Sequence, residues 1–267
     1  MQTAGFDCHA HVYGVVNRTQ GSNYKPRSAA PLATWKQHLQ SCGLAGGVIV
    51  QPSFLGHDNQ QLLDNLAIAG STFKGVAQLP SDASLAEMQR LDQAGVVGVR
   101  WNLIEHRAEL PDLDDPQWIQ FLEQLKAMDW HLELHLEGDR LPVLLPGLIQ
   151  RGVRLVIDHF ALPYLDNPDQ DAGFQQILQA GQQGDLWVKL SAPYRSPVQD
   201  LKPYVSALLN HLGSERLVWG SDWPWTRHEG KHDYPDTLAW LSEWVEDSAD
   251  RICILERSPR TLYRITG

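Results

Sequence analysis

The sequence predicts an α/β protein built as a (β/α)8 barrel, regular or distorted. Short apolar runs alternate with longer amphipathic stretches along the 267 residues, which is typical of βα units. Eight apolar runs occur, as this barrel requires. Glycine follows five amphipathic stretches, where a left-handed residue would close a helix. No long linker rich in Ser, Gly or Pro divides the chain, so we expect one domain over residues 1–267.

Each predicted strand is a short apolar run bounded by turn residues, as expected for buried parallel strands. The eight strands are predicted over residues 5–11, 46–51, 73–79, 96–102, 131–136, 153–159, 186–190 and 216–220. An open, doubly wound sheet would give a similar alternation. However, no glycine-rich phosphate turn follows the first strand, so the barrel is favoured.

Helices are predicted where apolar residues recur three or four positions apart. The stretches are 32–42, 58–69, 84–94, 116–128, 142–151 and 198–212. Several begin with Asp, Ser or Pro, which favour a helix N-terminus. The glycines that follow helices are Gly43, Gly70, Gly95, Gly152 and Gly213.

The charge balance excludes several classes of partner. Twenty-two basic and 32 acidic residues give a formal charge of −10, which argues against a nucleic-acid or anionic-membrane surface. The three cysteines lack CxxC spacing, so neither a disulfide framework nor a zinc knuckle is expected. No secretory leader or apolar stretch of about 18 residues is visible. We expect a soluble, unprocessed cytoplasmic protein that binds a small molecule; its oligomeric state is not encoded in a readable pattern.

Polar residues cluster at the C-terminal ends of the predicted strands, where barrel enzymes build their active sites. His9 and His11 end the first strand, and residues two apart on a strand face the same side. Asp222 follows the last strand. The strand ends between them carry Arg100, His135, His159, Lys189 and, shortly after, Arg195. Any one of these histidines could be a structural residue, but their joint placement predicts a site.

These motifs resemble the amidohydrolase superfamily, in the branch that contains 2-pyrone-4,6-dicarboxylate lactonase and sugar-lactone hydrolases. The matching segments span nearly the whole chain: His9-x-His11, Gln51-Pro52-Ser53, Asp58-Asn59, Gly98-Val99-Arg100-Trp101-Asn102, Asp158-His159, Val188-Lys189-Leu190-Ser191 with Arg195, and Gly220-Ser221-Asp222-Trp223-Pro224. The HxH motif alone is weak. Its combination with the later motifs is specific to the superfamily, though not to one substrate.

The resemblance implies a hydrolase that opens a lactone or similar cyclic ester. Asp222 would deprotonate the attacking water, and His9, His11 and His159 would polarise the carbonyl. General chemistry agrees, because a carboxylate among imidazoles can accept a proton while N–H donors stabilise charge on the carbonyl oxygen.

The same resemblance implies a substrate with carboxylate groups. Arg100 and Arg195 would hold them, since the planar guanidinium matches a carboxylate. Arg107 is a third candidate for this role, and His135 is a further candidate for contact with the substrate. No GxSxG motif occurs, so a Ser-His-Asp hydrolase is not favoured.

Two positions depart from the lactonase pattern. Leu162 stands where that lactonase has a further carboxylate-binding arginine, and His135 stands where it has a tyrosine. The lactonase does not rely on a metal. Metal-dependent relatives resemble this chain at His135, and there the ligands of one zinc would be His9, His11, His135 and Asp222. A site with one divalent metal and a metal-free site are therefore both open.

Two other functions remain open from the sequence. One is a zinc-dependent decarboxylase or hydrolase of another small acid. The other is a non-catalytic barrel that binds a small acid, against which the intact set of His9, His11, His159 and Asp222 argues. Cys8 is expected, by strand alternation, to point away from both neighbouring histidines and to be a packing residue.

Overall fold

The three-dimensional structure is a computed structural model that describes residues 5–16, 19, 24–104 and 109–266. Its eight strands form one parallel sheet in sequence order. They are β1 (Gly5–Ala10), β2 (Leu44–Val50), β3 (Phe73–Ala77), β4 (Val96–Asn102), β5 (His131–His135), β6 (Arg154–Ile157), β7 (Leu186–Leu190) and β8 (Leu217–Trp219). This order and the intervening helices confirm the predicted barrel.

The first and last strands meet just beyond the end of β8. The amide of Asp222 donates to the carbonyl oxygen of His9 at 2.8 Å, and the amide of His11 donates to that of Trp223 at 2.7 Å. Ala10 and Trp223 form a parallel bridge there. These bonds nearly close the barrel, and they place Asp222 beside the histidines of β1.

Gly220 allows this close approach between β1 and the segment after β8. A Cβ atom at Gly220 would lie 2.5 Å from the Cβ and 2.9 Å from the backbone nitrogen of His9. We expect Gly220→Ala to lower the free energy of unfolding by about 1–3 kcal/mol, because the backbone must shift. Urea denaturation measures this loss. Gly14→Ala is the control, since its new Cβ would touch nothing closer than 3.6 Å. Equal stability of the two variants would contradict the argument.

The helices cover the outside of the barrel. They are α1 (Leu32–Ser41), α2 (Gln60–Ala69), α3 (Leu85–Gln93), α4 (Pro116–Ala127), α5 (Leu141–Gln150), α6 (Ala172–Gln183), α7 (Lys202–Leu212), α8 (Tyr234–Trp244), α9 (Ser248–Ile252) and α10 (Ser258–Tyr263). The six predicted helices are confirmed within a few residues, and all five predicted closing glycines have positive φ. Among the described residues, no helix is both long and apolar enough to cross a bilayer.

A β-bulge in β1 changes which side chains face the barrel interior. Asp7 pairs with Gly47 and Ala10 pairs with Ile49, so three steps along β1 match two along β2. Cys8 consequently lies in the interior apolar cluster. The other members of this cluster include Phe6, Val48, Val50, Val76, Val97, Val156, Trp187, Val218 and Tyr263. The bulge interrupts the simple alternation from which Cys8 was expected to point away from both histidines, but the full burial of Cys8 agrees with a packing role.

Candidate active site

A cavity of about 320 Å³ contains side chains from the C-terminal ends of several strands. Five of the predicted site residues line it: His11, Arg100, His135, Arg195 and Asp222. The wall also includes Pro52, Ser53, Phe54, Asn102, Ile104, Leu162, Tyr194, Thr226, Arg227 and His228. Arg107, the third predicted carboxylate ligand, lies outside the described residues. The volume is suited to a small molecule.

The predicted acid and imidazoles come together beside this cavity: His11, His135 and Asp222 line it, whereas His9 and His159 are buried and are not among its lining residues. Oδ1 of Asp222 lies 3.6 Å from Nε2 of His9 and 3.6 Å from Nε2 of His11. The rings of His9 and His159 have centroids 4.8 Å apart, and those of His135 and His159 are 5.1 Å apart. The chain thus assembles residues from β1, β5 and the segments after β6 and β8 in one cluster.

Strained backbone positions two of these side chains. β6 ends at Ile157, earlier than predicted, because four consecutive residues from His159 to Leu162 have φ between 51° and 66°. Asp222 has a φ of 56°. Non-glycine residues in this region cost free energy, and such strain occurs often at functional sites. The sharp turn ends the strand and leaves His159 beside His9.

The second oxygen of Asp222 is held by two neighbours on the segment after β7. The Tyr194 hydroxyl donates to Oδ2 at 2.6 Å, and Arg195 contacts it through Nε at 2.8 Å and Nη2 at 2.7 Å. Burial favours the neutral acid, but the guanidinium of Arg195 and the nearby His159 hold the pKa of Asp222 well below its usual range. Asp222 is therefore a carboxylate at neutral pH. Sequence reasoning missed Tyr194.

Three site histidines are hydrogen-bonded through Nδ1. The partners are Val50 O for His11 at 2.8 Å, Asn102 Oδ1 for His135 at 2.9 Å and Ser191 Oγ for His159 at 2.8 Å. Burial lowers the pKa of His135 and of His159 well below the ordinary value. Both imidazoles are therefore neutral at pH 7, and each offers one donor and one acceptor nitrogen.

Several polar atoms at the centre of the cluster have no hydrogen-bond partner among the residues that the structure describes. They are Nε2 of His9, Nε2 of His159 and Oδ1 of Asp222, and all three are buried. Buried polar atoms normally find partners. Of these three residues Asp222 lines the cavity, so its Oδ1 and the two imidazole nitrogens near it indicate where a ligand's polar atoms would bind.

Arg100 is arranged to bind an anion in the cavity. Its Nε donates to Oδ2 of Asp158 at 2.7 Å, which fixes the guanidinium. Within the described part of the chain, its terminal nitrogens make no hydrogen bond. The side chain is only 4% exposed and lines the cavity. A carboxylate oxygen of a ligand could therefore accept from these nitrogens.

A buried carboxylate ties the two terminal motifs together. Oδ1 of Asp7 accepts from the amides of Ser221 at 2.9 Å and His9 at 3.1 Å. Oδ2 accepts from Ser221 Oγ at 2.6 Å, Trp35 Nε1 at 3.0 Å and the Tyr234 hydroxyl at 2.8 Å. Five donors therefore converge on Asp7. They fix β1, α1, α8 and the segment that carries Asp222 relative to one another.

Lys189 lies within the barrel and does not line the cavity. Its ammonium nitrogen is 2.6 Å from Oε1 of Glu133, 3.2 Å from Oδ1 of Asp158 and 3.0 Å from Nδ1 of His9. All these side chains are fully buried. Sequence reasoning missed Glu133, although a lone acid in the apolar run His-Leu-Glu-Leu-His is a signal of this kind of pairing.

A parallel barrel with a carboxylate, imidazoles and an arginine at one cavity is the arrangement of a barrel enzyme. A family model described as Amidohydrolase matches residues 6–265. The chain belongs to the amidohydrolase family.

Characterised relatives share much of the chain's length. The 2-pyrone-4,6-dicarboxylate hydrolase of Comamonas testosteroni is 28% identical over 239 residues, which cover 82% of this chain and 76% of the relative. The 4-sulfomuconolactone hydrolase of Hydrogenophaga intermedia is 26% identical over 282 residues, which cover 98% of this chain and 89% of the relative. A solved structure from Acinetobacter baumannii is described as a probable 2-pyrone-4,6-dicarboxylic acid hydrolase with citric acid bound. It superimposes on this chain with a TM-score of 0.89 and is 31% identical in sequence. The match covers 98% of this chain and 99% of that one.

Proposed function

We propose that this enzyme opens a lactone or similar cyclic ester that carries at least one carboxylate. The observation that carries the proposal is the unpartnered Oδ1 of Asp222, 3.6 Å from Nε2 of both His9 and His11 at the cavity wall. The relatives named above support it, because 2-pyrone-4,6-dicarboxylate and 4-sulfomuconolactone both contain a cyclic ester and an acidic group.

The reaction adds one water across the ring ester bond. Oδ1 of Asp222 takes a proton as the water oxygen forms a bond to the carbonyl carbon. Imidazole N–H groups donate to the carbonyl oxygen while it gains charge. The ring C–O bond then breaks, and the leaving oxygen takes the proton back from Asp222. A positioned base contributes about 10²–10⁴-fold to such a rate, and one oxyanion donor about 10²–10³-fold.

Two arginines of the cavity wall are candidates to bind the carboxylates of the substrate. Arg100 offers its terminal nitrogens to one of them, and Arg195 can reach a second only by leaving Oδ2 of Asp222. Leu162 lines the cavity as an apolar group, where the lactonase resembled by the sequence has an arginine. The apolar Leu162 at this position therefore favours a carboxylated substrate other than the pyrone dicarboxylate itself.

Ring opening of carboxylated lactones and pyrones, compared with their neutral methyl esters, tests this proposal. We expect Arg100→Gln to raise KM for the acid by about 10–100-fold, since a hydrogen bond to a charged group contributes about 1.5–3 kcal/mol. The glutamine amide can still donate to Asp158, which preserves the fold. The methyl ester is the control, because its KM should not change. An equal effect on both substrates would contradict the role of Arg100, and a lack of turnover across the panel would refute the proposal.

A zinc-dependent decarboxylase or hydrolase of another small acid is the second candidate. Family members often bind a divalent metal, and one polar atom each from His9, His159 and Asp222 lies within 4.8 Å of the others. However, Arg195 contacts Oδ2 of Asp222, and the Lys189 ammonium contacts Nδ1 of His9. Cations beside two ligands disfavour a divalent ion, so the donor set fits zinc poorly. Release of carbon dioxide would identify the decarboxylase, and activity that depends on added zinc would identify the zinc-dependent hydrolase.

A further inference from the structure

The two imidazoles of the HxH motif have opposite environments. Nδ1 of His11 lies 2.8 Å from the carbonyl oxygen of Val50. A carbonyl oxygen can only accept a hydrogen bond, so Nδ1 of His11 carries a proton. In the neutral ring, Nε2 of His11 then presents a lone pair to the cavity.

His9 meets a donor at the equivalent position. Its Nδ1 lies 3.0 Å from the ammonium nitrogen of Lys189, which has no lone pair to offer. Carboxylate oxygens of Glu133 and Asp158 flank that ammonium at 2.6 Å and 3.2 Å. A proton on Nδ1 of His9 would face an N–H group of Lys189 and be repelled by it. A lone pair on Nδ1 accepts a hydrogen bond from that N–H group instead. The alternative acceptor, Oδ1 of Asp158, is farther from Nδ1, at 3.4 Å.

We infer that Lys189 is a positioning residue that fixes His9 in the tautomer with its proton on Nε2, opposite to the tautomer of His11. The roles that follow rest on the proposed lactone hydrolysis. His9 donates from Nε2 to the substrate carbonyl oxygen. His11 accepts at Nε2 a hydrogen bond from the water whose other proton goes to Asp222.

The charge state of His9 agrees with this assignment. Burial, followed by the nearby Lys189, lowers the pKa of His9 to about 4. The ring is therefore neutral at pH 7, where only one of its nitrogens carries a proton.

The assignment also bears on metal binding. An imidazole ligand coordinates through a lone pair, and a hydrogen bond to the other ring nitrogen selects which nitrogen has it. While Lys189 donates to Nδ1, Nε2 of His9 carries a proton and cannot be a ligand. Lys189 therefore keeps Nε2 of His9 as a hydrogen-bond donor, while Nε2 of His11 has a lone pair. A metal site would need a lone pair on Nε2 of both histidines.

Nuclear magnetic resonance of the wild-type protein tests the inference without a substrate. Long-range proton–nitrogen correlations of ¹⁵N-histidine-labelled protein identify which ring nitrogen carries the proton, and His9→Gln and His11→Gln assign the signals. We expect the proton on Nε2 in His9 and on Nδ1 in His11, so His11 is an internal control. The same tautomer in both rings would overturn the inference, whatever the lactone assays show.

A charge-balanced variant tests the part played by Lys189. Lys189→Met combined with Glu133→Gln removes one positive and one negative buried charge together. We expect His9 to shift towards the Nδ1-protonated form, because Asp158 becomes its nearest acceptor. Zinc should bind about tenfold more tightly by calorimetry, because Nε2 of His9 would then offer a lone pair to the metal. The value of kcat should fall about 10²-fold. A folded variant with unchanged His9 signals and zinc affinity would overturn the role of Lys189. If the variant does not fold, the wild-type spectrum decides.

Discussion

Asparagine in place of Asp222 is expected to lower kcat for ring opening by at least about 10³-fold, because the amide cannot take a proton from water. The shapes of the two side chains are nearly the same, so the fold should remain. Arg195 loses its ion pair, but its side chain is 17% exposed and can be solvated by water. Steady-state kinetics measure the loss, and circular dichroism with thermal unfolding checks the fold.

Asp200→Asn is the matched control for this change. Asp200 is exposed, and among the described residues its side chain accepts a hydrogen bond from the amide of Lys202 alone. We expect the activity of the Asp200→Asn variant to equal that of the wild type. Full activity of the Asp222→Asn variant would refute the assignment of the base, and with it the proposed mechanism.

Alanine in place of Asp7 is expected to cost about 4 kcal/mol or more in the free energy of unfolding. Five donors lose their acceptor, and each buried unsatisfied group costs about 1–3 kcal/mol. Activity should fall as well, because Asp7 holds the amides of His9 and Ser221 beside the site. Denaturant unfolding measures the stability.

Two comparisons make the Asp7 experiment specific. Asp7→Asn keeps an oxygen acceptor and should lose about half as much stability. Asp92→Ala is the control, since Asp92 also accepts from a tryptophan, Trp130 Nε1 at 2.9 Å, but the Asp92 side chain is exposed. We expect this variant to lose about 1–2 kcal/mol, because one tryptophan donor loses its acceptor instead of five donors. A similar loss for Asp7→Ala and Asp92→Ala would contradict the importance given to the buried cluster.

The fold could be predicted from the sequence because local signals repeat in every βα unit. Apolar runs gave the strands, and glycines such as Gly43 and Gly152 marked helix ends, where the structure has positive φ. The strand-end rule also predicted that His9, His11 and Asp222 lie close together, and Nε2 of each histidine is 3.6 Å from Oδ1 of Asp222 although they are at least 211 positions apart in sequence.

Features that depend on long-range contacts or strain could not be predicted. The bulge that turned Cys8 inward comes from pairing between β1 and β2, which no local pattern specifies. The contact of Arg195 with Asp222 likewise depends on how two segments after different strands meet. From the sequence alone we expected Arg195 to bind the substrate. In the structure it donates a hydrogen bond to Asp222, the carboxylate that we propose as the base.

The central claim is that a carboxylate and oppositely protonated imidazoles perform the hydrolysis without a metal. The most direct measurement is the ring-opening rate of protein treated with a strong chelator, with its metal content determined on the same sample. We expect an unchanged rate at substoichiometric metal. Loss of activity on chelation, restored by adding zinc, would contradict it.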